Sequence, residues 1–93
     1  MAGERRRRRV VAHGRVQGVS FRFATEARAR EAGVDGWVAN RPDGSVEAVF
    51  EGDPSAVEAM VAFCREGSRH ARVLRLEVHE EQPEGLRGFA VRR

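Results

Sequence analysis

Residues 36–50 read GWVANRPDGSVEAVF, two runs rich in valine, alanine and aromatic side chains on either side of Arg41, Pro42, Asp43 and Gly44. Proline presets one turn dihedral and Asp-Gly tolerates the positive φ of hairpin turns. The segment therefore predicts an antiparallel hairpin with strands over residues 34–40 and 45–51. On the N-terminal side, Phe21, Thr25, Ala29 and Ala32 recur at helical spacing in an alanine-rich, charged stretch that begins near Arg22, and Gly33 fits as its C-terminal cap. Ahead of that helix, Val10 and Val11 sit in a short extended pattern over residues 8–13, ended by Gly14. On the C-terminal side, Asp53 and Pro54 form a helix start, because the carboxylate accepts free amides and proline loses nothing at the first helical position. Val57, Met60, Val61 and Cys64 then make a core-facing stripe that Gly67 closes. Residues 73–80 alternate Leu74, Leu76 and Val78 with Arg75, Glu77 and His79, the pattern of a half-buried strand, and a short strand at residues 89–91 follows a loop over 83–88.

The resulting order, β, α, β, β, α, β with an extra short β, predicts an α+β fold. It is a ferredoxin-like βαββαβ two-layer sandwich, an antiparallel sheet with two helices on one face and a short extra C-terminal strand. Right-handed crossover makes the first two strands parallel, with the second strand of the hairpin between them. The end of the first strand, the start of the first helix and the end of the second strand then share one edge of the sheet. Residues 14–22 and Asn40 are expected to meet there.

At 93 residues the chain has length for one domain and one two-layer core. Its basic residues are 17 arginines with no lysine, against 14 acids, for a formal charge of +3. Arg5 to Arg9 form an unbroken run, and beyond Arg9 there remain 12 arginines against 13 acids. The reading that follows is a flexible, solvated Arg-rich tail over residues 1–9 and a near-neutral folded domain over residues 10–93. Glu80, Glu81 and Glu84 read as a solvated acidic edge. No apolar stretch approaches the roughly 20 residues of a membrane span, and Val10, Val11 and Ala12 are too few for a signal peptide, so a soluble, cytoplasmic protein with no membrane partner is expected. Cys64 has no disulfide partner, and no CxxC or HxxxH spacing exists. A metal site and a cofactor are therefore not expected, and Cys64 reads as buried filler. His13, His70 and His79 lack ligand spacing, and Trp37 with the five phenylalanines reads as core or rim packing.

Residues 14–22, GRVQGVSFR, place two glycines and a loop of small or apolar residues directly before a helix N-terminus. Several backbone amides can converge there on an anion that the helix dipole favours, and Arg22 can add a planar guanidinium fork suited to phosphate oxygens. Without a GK[ST] sequence it is not a nucleotide P-loop. GRVQGVSFR, GWVANRPDGSVEAVFEG over 36–52 and EGLRGFAVR over 84–92 together resemble the acylphosphatase family, from about Val10 to Arg92.

That resemblance implies the ferredoxin-like fold and metal-independent hydrolysis of acyl phosphates. It implies Arg22 as the phosphate-binding catalytic arginine and Asn40 as the residue that orients the attacking water. The loop residues Gln17, Gly18, Val19, Ser20 and Phe21 would hold the phosphate, and Thr25 would be a supporting polar residue near the water. Ser20 and Ser68 depart from the family pattern, which often has glycine or an aromatic at the first position and proline at the second. The implied partner is a small-molecule acyl phosphate, with inorganic phosphate as product or inhibitor. A monomer is expected because nothing in the composition demands more, and a nucleic-acid partner is not expected because the charge lies outside the near-neutral domain. Two alternatives belong to other classes. One is a catalytically silent phosphate-binding domain, against which the presence of both Arg22 and Asn40 argues. The other is an RNA-binding ferredoxin-like module, against which the strand SVEAVF argues, because it lacks the aromatic pair such sheets stack bases on.

Overall fold

The predicted hairpin forms. In a computed structural model that describes residues 4–92, β2 (Asp35–Asn40) pairs antiparallel with β3 (Val46–Gly52), Val38 opposite Ala48 and Asn40 opposite Val46. Residues 1–3 and 93, the outer ends of the expected tail and domain, lie outside the described residues. The remaining elements are β1 (Arg6–Arg15), α1 (Phe21–Ala32), α2 (Pro54–Glu66), β4 (Arg72–Glu81) and β5 (Phe89–Arg92). The sheet order is β4-β1-β3-β2-β5, so β3 does lie between the parallel strands β1 and β2. The sheet is mixed and not antiparallel throughout, because residues 82–88 carry the chain from one sheet edge to the other and β5 enters beside Gly36, parallel to β2.

Both helices begin and end where local chemistry allows. Asp53 accepts from the amide of Ser55 at the N-terminus of α2, and Gly33, at φ 70°, closes α1 with its own amide on carbonyls of the last turn. Phe21, Ala29, Val57, Met60, Val61 and Cys64 from the helices meet Val10, Ala12, Val38, Ala48 and Phe50 from the sheet. Burial pushes the Cys64 thiol up to about 12, so it stays a protonated, inert filler. Ala32, expected in the core, is exposed at the end of α1, and Val34, just past the Gly33 cap, is buried instead.

Leu74 also departs from expectation, being 73% exposed while Val73 is packed against the core. The register between β1 and β4 shifts at His13 and Gly14: His13 faces Arg75, but Gly14 faces Val73, leaving Leu74 as the extra residue of a bulge. Beyond the bulge the inward and outward positions exchange.

The arginine run is not a tail. β1 begins at Arg6 and is paired on both sides, Arg7 opposite Glu51 of β3 and opposite Glu81 of β4. Strand alternation sends Arg6 and Arg8 toward the helices, where both donate to Glu58 of α2 at 3.1 and 2.8 Å. It sends Arg7 and Arg9 to the other face, where both donate to Glu81, at 2.9 and 2.8 Å. Arg5 reaches Asp35 at 3.0 Å. The supposed acidic edge supplies the counter-charges, since Glu80 and Glu84 lie within 4 Å of this cluster as well.

Glu51 is the innermost of these acids, with 0% of its surface exposed. It accepts from Arg7 at 2.7 Å and from three consecutive amides, Glu84, Gly85 and Leu86, at 2.8 to 3.1 Å. Burial alone would raise its pKa, but the Glu84 amide, the Arg7 guanidinium and the Leu86 and Gly85 amides outweigh it and hold the carboxyl below its ordinary value of 4.5. A depressed folded pKa means this stabilisation is fully present above pH 4.5 and is lost as pH falls through the folded value. Glu51→Gln is expected to cost about 3 kcal/mol at neutral pH, read from the urea midpoint. The gap from the parent should narrow below pH 4.5, and a gap independent of pH would refute the role of the charge.

Candidate active site

At the sheet end opposite this ion network, β1 gives way to the loop that starts α1. Gly14, at φ 129°, sits so close to β4 that a Cβ there would collide with the Arg72 carbonyl. Val16 is buried beneath the loop and anchors it to the core. The side-chain amide of Gln17 donates to the carbonyls of Arg41 and Ser45, at 2.8 and 2.9 Å, and so fastens the loop to the turn that follows Asn40. Ser68 adds a 3.2 Å bond to the Val19 carbonyl.

Gly18 at φ 74° and Ser20 at φ 63° both adopt left-handed backbone conformations. Ser20, the residue preceding α1, makes no side-chain cap, and the first turn contains no acid. The amide of Ala24 is the first to bond back, to the Ser20 carbonyl at 3.0 Å. A helix leaves the amides before that one unpaired, so those of Phe21, Arg22 and Phe23 are free to bind an external anion. No acidic side chain pairs with Arg22 among the described residues; its guanidinium lies 5.8 Å from the centre of the Phe23 ring.

A cavity of about 220 Å³ opens here, lined by Val16, Gly18, Ser20, Phe21, Arg22, Phe23 and Asn40. The Asn40 Oδ1 is buried and has no hydrogen-bond partner among the described residues. An unsatisfied buried acceptor costs about 1–3 kcal/mol, so this oxygen gains from any donor brought within reach of it. Among the described residues no three His, Cys, Asp or Glu side chains gather as metal ligands.

Of the residues singled out by sequence, Gly18, Ser20, Phe21, Arg22 and Asn40 converge on this cavity. Gln17 and Val19 do not line it; the side chain of Gln17 braces the loop from behind, and Val19 packs against the core. Thr25 is not beside the cavity either. It is fully buried on the inner face of α1 and donates to the Phe21 carbonyl one turn back at 2.8 Å, so it supports the helix start and leaves no hydroxyl for a water. Val16 lies within the expected loop, but Phe23 was missed. Phe23 falls off the Phe21, Thr25, Ala29 stripe, and an aromatic at such a position is the signal that could have found it.

A family model described as Acylphosphatase matches residues 8–91. The chain is 56% identical over 88 residues to the acylphosphatase of Thermococcus kodakarensis, covering 90% of this chain and 97% of that one. It is 57% identical over 86 residues to the acylphosphatase of Haloarcula marismortui, covering 92% and 94%. The crystal structure of acylphosphatase from Bacillus subtilis superposes with a TM-score of 0.90 at 35% identity, covering 95% of this chain and 99% of that one.

The Gln17 brace makes its own prediction. Gln17→Ala is expected to lower stability by about 1 kcal/mol and the affinity for inorganic phosphate by roughly tenfold, read by urea unfolding and by calorimetry. Gln17→Glu keeps the shape without the donor and should do at least as much damage. Undiminished phosphate binding in Gln17→Glu would show that the brace does not set the loop.

Proposed function

The chain belongs to the acylphosphatase family, and on that premise we propose that the cavity between Ser20, Arg22 and Asn40 is where the carboxyl-phosphate bond of an acyl phosphate is hydrolysed. The observation that carries this reading is the coincidence, around one cavity, of a helix start with free amides, an arginine with no acidic partner among the described residues, and Asn40, whose buried Oδ1 has no partner among them.

The phosphoryl group sits against the loop amides, with its peripheral oxygens shared between them and the Arg22 guanidinium. Charge in a loose phosphoryl-transfer transition state rests on those oxygens, where fixed dipoles and a guanidinium stabilise it without reorganising. Asn40 is not a base. Its carbonyl oxygen accepts a hydrogen bond from a water and so aims the water's lone pair at phosphorus. The new P–O bond forms as the bond from phosphorus to the acyl oxygen breaks, and the electron pair leaves with the carboxylate. A carboxylate with a pKa near 4 departs without a general acid. The proton of the attacking water passes to a phosphate oxygen, and the products are carboxylate and inorganic phosphate. The step is a direct displacement, with no phosphoenzyme and no metal.

Ser20, Arg22 and Asn40 line the cavity within one chain, so the step as proposed requires no residue from a second subunit. No helix among the described residues is long and apolar enough to cross a membrane. The arginines that suggested a nucleic-acid partner are engaged by carboxylates in the strand network, which supports a small-molecule substrate over a polyanion.

The test is hydrolysis of benzoyl phosphate in excess chelator. The parent is expected to be active there. Arg22→Ala should lose roughly 10²-fold to 10³-fold in kcat/KM together with inhibition by inorganic phosphate. Asn40→Ala should lose about 10²-fold in kcat while phosphate still competes. Parent-like turnover in either variant would sink the assignment of roles, and loss of parent activity on chelation would sink the metal-free step.

A further inference from the structure

The mechanism uses the polar floor of the cavity and leaves one of its walls without a task. Phe23 lines the cavity, yet 59% of its surface is exposed, and with Leu74 it is one of two large hydrophobic side chains so exposed among the described residues. Leu74 is explained by the β1–β4 bulge. Nothing in the packing explains Phe23. It stands on the first turn of α1, next to Arg22 in sequence and 100° around the helix from it. The guanidinium edges toward the ring at 5.8 Å, a weak contact for an exposed pair. An apolar ring held at the mouth of an anion cradle keeps its surface in water at some cost, and such surface recurs where an apolar ligand group lands.

A substrate of this site has two unlike ends. The phosphate needs amides and a guanidinium, and these form the floor. The acyl group emerges from that floor toward solvent, and among the residues lining the cavity Phe23 is the exposed apolar one. We propose that the Phe23 ring is the acyl subsite, a platform against which an aromatic or extended apolar acyl group packs, so that the enzyme favours aroyl and long-chain acyl phosphates over acetyl phosphate. A methyl ends too close to the anhydride to reach across the ring. A phenyl group or a longer chain covers it, excludes water from both faces and adds an aromatic or dispersion contact. Because the ring flanks Arg22 as well as the mouth, part of the same gain comes from a drier guanidinium when the acyl group is seated. Phe23 in this role sets specificity and takes no part in bond making.

This inference rests on the phosphate site assigned above, and the experiment separates the two. The kcat/KM values for benzoyl phosphate and acetyl phosphate are measured for the parent, Phe23→Ala and Phe23→Tyr, with inorganic phosphate as a competitive probe of the floor. The ratio of the benzoyl to the acetyl value is expected to fall roughly fivefold in Phe23→Ala and to hold in Phe23→Tyr, which keeps the ring. The inhibition constant for phosphate should move far less than that ratio. A ratio that stays constant while both values fall would make Phe23 a brace for Arg22 and would overturn the proposal, as would a ratio unchanged because neither value moves. A parent that hydrolyses neither substrate would overturn the assignment of the phosphate site itself, and this inference with it.

Discussion

An inner β-strand whose first four residues are all arginine needs counter-charges, above all where a guanidinium is buried, as that of Arg7 is. β1 draws acids from β3, β4 and α2, and Arg5 just ahead of it adds Asp35 of β2, so the cluster ties the sheet to a helix. Surface ion pairs taken one at a time contribute little. Here several share partners: Glu58 serves two arginines, as does Glu81, and Glu51 is fully buried with an arginine and three amides upon it. Removing Arg7 or Glu51 leaves its buried partner without compensation, whereas the outer pairs of the cluster are partly exposed and screened by water. The strand order, with β1 between β3 and β4, is what brings those acids within reach.

The same strand governs the site at its other end. The β4 bulge opposite Gly14 marks where the chain leaves the sheet close against β4, Val16 drops into the core, and Gln17 holds the loop to the turn after Asn40. The loop is thus fixed on three sides before it turns into α1, which is what keeps a row of unpaired amides in place without a ligand. Two residues 18 positions apart, Arg22 and Asn40, line one cavity because right-handed crossover leaves them at the same edge. Charge is distributed accordingly, with arginines neutralised by the fold at one end of the sheet and Arg22 left open at the other.

Hairpin, helices and strand order were legible because each rests on chemistry within a few residues: proline and Asp-Gly in the turn, Asp53 and Pro54 at a helix start, Gly33 at a helix end. The strand character of Arg6 to Arg9 was not legible, since it depends on partners such as Glu81, 74 positions away from Arg7. A local reading of five arginines followed by valines returns a solvated tail and, separately, an acidic edge, and misses that the two are each other's counter-ions. Leu74 failed for a related reason, since a bulge is a property of two strands and one strand's alternation cannot announce it. At the site, the meeting of Arg22 and Asn40 was legible through the strand order, and both line one cavity. The second role of Gln17 was not, because the carbonyls it holds belong to a different loop, and Thr25 was misplaced because its hydroxyl found a nearer acceptor in its own helix.

The nest around Glu51 and the loop before α1 are objects of the same kind, a row of backbone amides closed by an arginine around an anion. One is filled for the life of the molecule by a tethered carboxylate. The other lies in a segment, residues 14–23, with no aspartate or glutamate at all. Helix starts usually welcome an acid in the first turn, and α1 forgoes one. An acid there would act as a permanent competitor, product-like in charge and impossible to dilute away. On the roles proposed for Arg22 and Asn40, turnover would depend on a residue type being kept out of this loop as much as on those two being kept in.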